Sequence, residues 1–140
     1  MKPTLWLRIA AGLALFNAVG HTIGQLSTPT DTEALSAVQA MQAHRFEVMG
    51  STRTYWDFFT GFSVFITITV LLVAVLCWQL ASLAKSAPRM ARPMIAALAI
   101  AYVGYSVLGW LYLFAAPELN IAATAACLLM ALAGVRQGTA

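Results

Sequence analysis

The sequence predicts an all-α integral membrane protein in which four transmembrane helices form an antiparallel bundle. Hydrophobic residues make up 61% of the 140-residue chain and charged residues only 9%, whereas soluble domains average about 45–50% and about 25%. The apolar residues fall into four long segments, each close to or above the roughly 20 residues that cross a bilayer. Short connections between consecutive spans favour an up-and-down bundle within a single domain.

The first predicted span covers about residues 5–23. We interpret it as a retained helix and not as a cleaved signal peptide, because Arg8 interrupts its apolar start and no clear A-x-A cleavage site follows. Near its far end, Asn17 and His21 are four residues apart and therefore share one face.

Gly20 and Gly24 lie beside that face and have the small-xxx-small spacing that lets membrane helices approach closely. This spacing predicts helix packing, either within the bundle or in a homo- or hetero-oligomer that forms through the Gly20/Gly24 face.

The segment of about residues 31–49 is predicted to be an amphipathic helix on the periplasmic side, since it is too polar to span a membrane. Thr30 and Glu33 have the spacing of a capping box at its start. Its apolar residues follow a 3–4 spacing, and the helix would carry three polar side chains toward the mouth of the bundle: His44, Arg45 and Glu47.

The most apolar segment, about residues 55–83, is the predicted second span. Its nearly thirty residues correspond to about 45 Å of helix, so we expect it to tilt or to emerge into water. Asp57 is its one acid and lies in the first turns, where the helix dipole favours a carboxylate. Ser51 or Thr52 is expected to cap this helix.

A basic loop over residues 85–92 leads to the third predicted span, about residues 93–116. A tight turn over residues 117–120 is expected to begin the fourth span, about residues 118–135. A stripe with 3-4-3 spacing lies along the third span and consists of Tyr102, Tyr105, Gly109 and Tyr112.

The distribution of basic residues predicts that both termini lie in the cytoplasm. With this orientation, two basic residues (Arg45 and Arg53) lie outside and six lie inside: Lys2, Arg8, Lys85, Arg89, Arg92 and Arg136. This is the positive-inside bias of a multi-pass protein.

Composition and motifs exclude several function classes. The net charge of +3 without a basic run gives no support for nucleic-acid binding. Cys77 and Cys127 do not form a CxxC motif, which argues against thiol–disulfide exchange. The histidines lack the spacing of common zinc motifs, so no metal site is assigned, and the sequence identifies no cofactor.

The predicted topology brings polar and aromatic residues together at the outer end of the bundle. Such groups are costly at membrane depth and usually face the interior or a water-filled cavity. We therefore predict an outward-facing ligand pocket formed by Asn17, His21, Arg53, Trp56, Asp57, Tyr105, Tyr112 and Glu118.

Each of these residues also has a simpler interpretation. Arg53 and Asp57 are four residues apart and could form only an interfacial salt bridge, while His21 could bond a backbone carbonyl or Asn17. The tyrosine stripe could serve only to pack the bundle.

Three functions are consistent with this pattern. The first is a binding protein for a small amphipathic ligand, such as a lipid, isoprenoid or quinone, held in the bilayer at the outward pocket. The second is an enzyme that uses His21 and Asp57 as an acid–base pair. The third is a structural partner subunit that associates through the Gly20/Gly24 face.

Two stretches carry a resemblance, NAVGHTIG (17–24) and MQAHRFEVMGSTRTYWDFFTGF (41–62). They resemble a family of small, uncharacterised bacterial four-span inner-membrane proteins with a GHTxG element and a GxxRxxWDFxxGF element. The layout is also similar to the DoxX-like group. The resemblance implies the four-span fold and a location in the bacterial inner membrane, and it assigns no activity.

Overall fold

Four of the helices are long and apolar enough to cross a membrane. A computed structural model of the chain describes residues 2–135, so the Arg136 used in the charge count lies outside the described part. The four helices are α1 (Pro3–Leu26), α3 (Tyr55–Ser86), α4 (Pro88–Tyr112) and α5 (Ala115–Gly134). The prediction of a helical, multi-pass membrane protein is therefore confirmed.

The segment between α1 and α3 differs from the sequence prediction. Helix α2 (Thr32–Ala43) ends six residues before the predicted end at residue 49. Two short antiparallel strands follow, β1 (Arg45–Val48) and β2 (Ser51–Thr54), with Arg45 opposite Thr54 and Val48 opposite Ser51. The start of α2 also differs by one residue, because its cap is Asp31, whose carboxylate accepts the Ala34 N–H at 3.0 Å.

The two-residue loop Met49-Gly50 explains why the helix stops and a hairpin forms. Both residues have positive φ, 48° at Met49 and 81° at Gly50. Positive φ at both central positions is the geometry of a type I′ turn, whose twist matches that of paired antiparallel strands. Glycine adopts this conformation readily, whereas methionine does so at a cost.

The connections between the last three helices are shorter than predicted. Only Ala87 separates α3 from α4, so most of the expected basic loop is helical. Ala87 precedes Pro88, and a residue before proline is disfavoured in the α conformation; its ψ is 68°. Proline then suits the first position of α4, where its missing N–H has no helical partner to lose.

Helices α4 and α5 are joined by Leu113 and Phe114 alone. The sequence placed this turn at residues 117–120, with the fourth span starting at 118. Instead Pro117 is the third residue of α5, and the first turn of a helix tolerates proline. The Leu113 N–H closes α4 by donating to the Gly109 carbonyl at 2.8 Å.

The described residues separate into two compact units. One contains Val19–Thr69, and the other contains the chain up to Ala18 and from Val70 onward. The second of these holds the hydrophobic core, to which all four long helices contribute. Small residues dominate it, as expected where lipid-embedded helices pack closely: Leu7, Ala10, Ala11, Ala14, Val73, Ala74, Cys77, Leu80, Ala81, Ala84, Ala91, Ile95, Ala99, Tyr102, Ala125, Cys127, Leu128, Ala131 and Val135.

Arg8 lies at the edge of this core unit, on the early part of α1. Its guanidinium is 5.3 Å from the ring centroid of Trp78 on α3, a cation–π contact. The contact gives this charged side chain a partner inside a long apolar helix.

The turn geometry predicts how two substitutions change the hairpin. We expect Met49→Asn to stabilise it by up to about 1 kcal/mol, because asparagine adopts positive φ more readily than methionine. Gly50→Ala should destabilise it by a similar amount for the opposite reason. Amide hydrogen exchange of residues 44–54, followed by mass spectrometry, measures both changes. Equal exchange rates in wild type and both variants would contradict this account of the turn.

Candidate functional site

A reciprocal pair of hydrogen bonds fixes the start of α3. The Thr54 N–H donates to the Asp57 carboxylate at 2.8 Å, and the Asp57 N–H donates to the Thr54 hydroxyl at 3.1 Å. This is a capping box with aspartate in place of glutamate. The cap is thus Thr54, the last residue of β2, and not Ser51 or Thr52 as the sequence suggested. The box gives the Asp57 carboxylate a fixed position at the positive end of the helix.

Arg53 lies next to this cap, on β2 and opposite Phe46 in the strand register. One guanidinium nitrogen donates to the Thr52 carbonyl at 2.8 Å. The side chain is exposed. Within residues 2–135 the expected salt bridge between Arg53 and Asp57 does not form, since neither residue has an ion-pair partner there.

Both charged residues line an open groove on α3. The groove has a volume of about 210 Å³. Its lining is charged at the end near the hairpin and apolar along the helix: Arg53, Asp57, Phe58, Gly61, Phe62 and Phe65. We call this feature the α3 groove.

Helical spacing produces the aromatic wall of the α3 groove. Phe58, Phe62 and Phe65 are four and three residues apart, so they lie on one face of the helix. Their ring centroids are 6.1 Å apart between Phe58 and Phe62 and 6.5 Å apart between Phe62 and Phe65. Gly61 has no side chain, and no atom lies within 4 Å of the place where its Cβ would be, which leaves space between the rings.

An aromatic cluster joins the hairpin to this wall. Phe46 on β1 stacks on Phe58 with centroids 5.8 Å apart and also contacts Tyr55 at 4.9 Å. His44 stacks on Tyr55 with centroids 5.3 Å apart, and its ring is also 6.4 Å from that of Phe46. These contacts are of the type that contributes about 0.5–1.5 kcal/mol per pair. They hold the hairpin beside the first turns of α3.

Trp56 was expected to line the pocket and lies outside the α3 groove. Its ring stacks on Phe59, with centroids 5.3 Å apart. Neither residue belongs to the groove lining.

His21 lies on α1, and its Nδ1 is 3.0 Å from the Thr67 hydroxyl on α3. Thr67 is ten residues after Asp57, which corresponds to about 15 Å along the helix axis. The His21 imidazole and the Asp57 carboxylate therefore have separate partners far apart on α3. An acid–base pair needs both groups within hydrogen-bond reach of one substrate.

The face of α3 that bears Thr67 is distinct from the α3 groove. Thr60, Ser63 and Thr67 share one side of the helix, roughly opposite the side of the groove phenylalanines. Ser63 is buried, and the Thr60 hydroxyl is buried without a hydrogen-bond partner among the described residues. The polar residues of the predicted second span therefore lie on two faces of α3. Asp57 lines the α3 groove, and Thr60, Ser63 and Thr67 lie on the other face.

Glu118 belongs to the core unit and has an environment of its own. It is buried on α5, and its Oε1 accepts a hydrogen bond from the Ser106 hydroxyl of α4 at 2.6 Å. Its Oε2 has no hydrogen-bond partner among the described residues. This oxygen fits against Gly109, where an added Cβ would overlap with it. Glu118 thereby ties the two helices of the α4–α5 hairpin together.

The tyrosine stripe does not act as one surface. Tyr102 is buried, and its ring packs edge-to-face on Tyr105 at 5.7 Å. Tyr105 and Tyr112 are 48% and 79% exposed. These two tyrosines belong to the same compact unit as Glu118 and Asn17, while His21, Arg53, Trp56 and Asp57 belong to the other. The pocket of all eight residues stays a prediction.

Several functional candidates escaped the sequence analysis. Phe65 completes the aromatic wall, and its i+3 spacing from Phe62 was a usable signal. Thr54 was detectable as the first residue of a T-x-x-D pattern before an apolar run. Ser106 and Gly109 were not detectable as partners of Glu118, because their contact depends on where the turn between two helices falls.

No match was found to a protein-family model, a curated protein or a solved structure. Within residues 2–135, no three His, Cys, Asp or Glu residues are grouped as metal ligands. The assignment of a function consequently depends on the geometry of the two units alone.

The fit of Glu118 against Gly109 predicts that alanine substitution changes the stability of the protein very differently at two glycines of α4. We expect Gly109→Ala to lower the free energy of unfolding by about 1–3 kcal/mol, because the new methyl group displaces the carboxylate. Gly104→Ala is the matched control. No atom lies within 4 Å of its Cβ position, so the change should be neutral or stabilising by up to about 1 kcal/mol.

Denaturant unfolding in mixed micelles, followed by circular dichroism, measures both changes. The cost of Gly109→Ala should fall in a Glu118→Ala background, since the clashing oxygen is then absent. The same cost in both backgrounds would show that Glu118 is not the partner that matters.

Proposed function

We propose that this membrane protein binds a small amphipathic molecule, a lipid, isoprenoid or quinone, in the α3 groove. The observation that carries the proposal is that one open groove has charged groups at one end and a phenylalanine wall along the rest. Arg53 and Asp57 are suited to a polar head, and Phe58, Phe62 and Phe65 are suited to an apolar body.

The size of the α3 groove indicates how such a ligand is held. Its volume of about 210 Å³ is below the roughly 300–1,000 Å³ of pockets that enclose a drug-sized ligand. The ligand would therefore lie along the surface of α3, with its head at the hairpin and the rest of its apolar part in the bilayer. A binding or accessory role fits this open geometry better than chemistry that requires exclusion of water.

The distance between His21 and Asp57 weighs against the enzymatic alternative. The His21 imidazole bonds Thr67, which lies about 15 Å along α3 from Asp57. A single small substrate would not contact both, so we do not propose acid–base catalysis by this pair.

We further propose an orientation for the protein in the membrane. With both termini in the cytoplasm and the four spans packed as an antiparallel bundle, α2, the hairpin and the charged end of the α3 groove lie on the periplasmic side of a bacterial inner membrane. The positive-inside bias supports this orientation. The ligand head would then lie in the outer leaflet.

The test of ligand binding is mass spectrometry of the mildly purified protein, with Phe62→Ala and Phe59→Ala as matched variants. Both phenylalanines lie on α3 and are about half exposed, 60% and 48%, but only Phe62 lines the groove. We expect Phe62→Ala to lower the retained ligand about five- to tenfold, a factor that corresponds to about 1–1.4 kcal/mol.

Phe59→Ala should retain the ligand at the wild-type level. Equal retention by all three proteins would refute binding in the α3 groove.

A second candidate function, a partner subunit, is favoured by one observation on α1. Gly20 and Gly24 are exposed, and no atom lies within 4 Å of the place where either Cβ would be. The small-xxx-small surface predicted from the sequence is therefore not filled from within the described chain. A second helix could approach it closely.

Mass photometry in nanodiscs tests this candidate. We expect Gly24→Leu to convert an oligomer of the wild type to monomers, because the larger side chain blocks helix approach. Gly12→Leu is the control, since Gly12 is also exposed on α1 and points elsewhere. A wild-type protein that is monomeric in nanodiscs and gives no crosslinks in native membranes would exclude the partner-subunit role.

A further inference from the structure

The two charged residues of the α3 groove have opposite signs and separate hydrogen-bond partners. Arg53 and Asp57 both line the groove, yet within residues 2–135 they form no ion pair. Arg53 lies on β2 and Asp57 on α3, so the i, i+4 helical spacing that brings opposite charges together does not apply to them. Here the capping box holds Asp57 against Thr54, and Arg53 turns toward the Thr52 carbonyl. Two separate charged groups therefore face the same groove.

Each charged group keeps unused hydrogen-bonding capacity. A guanidinium has five N–H donors, and the hydrogen bond to the Thr52 carbonyl engages one nitrogen of Arg53. A carboxylate has two acceptor oxygens; Oδ2 of Asp57 accepts the Thr54 N–H, and Oδ1 accepts no hydrogen bond from the described residues. The arginine can bind an anion while the aspartate binds a cation.

The charges around the groove are balanced. Beside Arg53 and Asp57, the hairpin carries Arg45, which pairs with Thr54 in the strand register, and Glu47, whose carboxylate accepts the Thr52 hydroxyl. A purely anionic head would meet as much negative as positive charge here. A head that carries one anion and one cation meets a complementary group for each.

We propose that the α3 groove selects a phospholipid whose head carries a phosphate and a primary ammonium, as in phosphatidylethanolamine. The phosphate binds Arg53, the ammonium donates to Oδ1 of Asp57, and one acyl chain lies along Phe58, Phe62 and Phe65. A primary ammonium has three N–H donors, whereas the quaternary ammonium of a choline head has none. This inference rests on the proposed function, because it names the ligand of the same groove.

Head-group chemistry has to decide the selection because the acyl chains cannot. Phospholipids with the same acyl chains pack against the phenylalanine wall in the same way, so the wall contributes equally to the binding of each of them. Charge-assisted hydrogen bonds are the interactions that differ between one phospholipid and another.

The experiment uses the full chain in nanodiscs that contain equal parts of phosphatidylethanolamine, phosphatidylcholine and phosphatidylglycerol with identical acyl chains. Native mass spectrometry then identifies the lipid that stays bound. We expect the wild type to retain phosphatidylethanolamine about two- to fivefold over each of the others, the range for one exposed charged contact.

Two variants assign the preference to the charged groups. Asp57→Asn should abolish the preference for ethanolamine over choline while keeping the helix cap, since an amide oxygen still accepts the Thr54 N–H. Arg53→Gln should lower retention of all three phospholipids, and Arg53→Lys should restore part of it. Circular dichroism establishes that the variants retain the helical content of the wild type.

The outcomes separate this inference from the proposed function. Suppose that Phe62→Ala still lowers retention but the three lipids are retained equally, or phosphatidylglycerol is preferred. The groove then binds lipid without selecting the ethanolamine head, and the inference is overturned while the proposed function stands. A preference unchanged in Asp57→Asn overturns it as well. No retained lipid, with no effect of Phe62→Ala, overturns both.

Discussion

The reciprocal hydrogen bonds between Thr54 and Asp57 are the constraint on which the unit of Val19–Thr69 depends. They end β2 and begin α3 at adjacent residues, so no loop intervenes between hairpin and membrane helix. The first N–H groups of a helix have no partner inside it, and a helix that starts near lipid must satisfy them locally. Because Asp57 does this, its charge is fixed beside the groove, and Arg53 on the neighbouring strand donates to the Thr52 carbonyl instead.

The two compact units meet the demands of a bilayer in different ways. In the core unit, alanines bring helix backbones together, and one buried carboxylate is accommodated by a glycine on the neighbouring helix. In the unit of Val19–Thr69, aromatic rings of the hairpin and α3 stack on one another, and polar groups are arranged around the beginning of a single helix. The first arrangement ties neighbouring helices together, and the second leaves an open groove along one helix.

The sequence was sufficient to predict the four long apolar helices, because the length and apolar composition of a segment almost alone decide whether it can span a membrane. It failed after Ala43, where the helical spacing of apolar residues continued by coincidence to Val48. The hairpin depends on a methionine with positive φ, which a propensity argument would not select.

Within the candidate site, local patterns were readable and long-range pairs were not. The charged residues at the start of α3 and the phenylalanine spacing follow from one helix and its cap. The pairing of His21 with Thr67 depends on how α1 and α3 pack, and that of Glu118 with Gly109 depends on a turn that the sequence placed several residues late. Residues four apart with opposite charge suggested a salt bridge, but the capping requirement of the helix outweighed it.

The very short links at Ala87 and at Leu113-Phe114 restrict how this chain can change in length. One residue inserted into α4 between Gly109 and Tyr112 would turn the end of α4 by about 100° relative to Gly109 and shift it by about 1.5 Å along the axis. A link of one or two residues has no slack to absorb that change, so Glu118 would lose its place against Gly109. The polar stretch of residues 27–31, between α1 and α2, has no such restriction. Insertions and deletions, whether natural or introduced as tags, are therefore best accommodated on the hairpin side of the protein, and the helices beyond Ala87 form a block of fixed length.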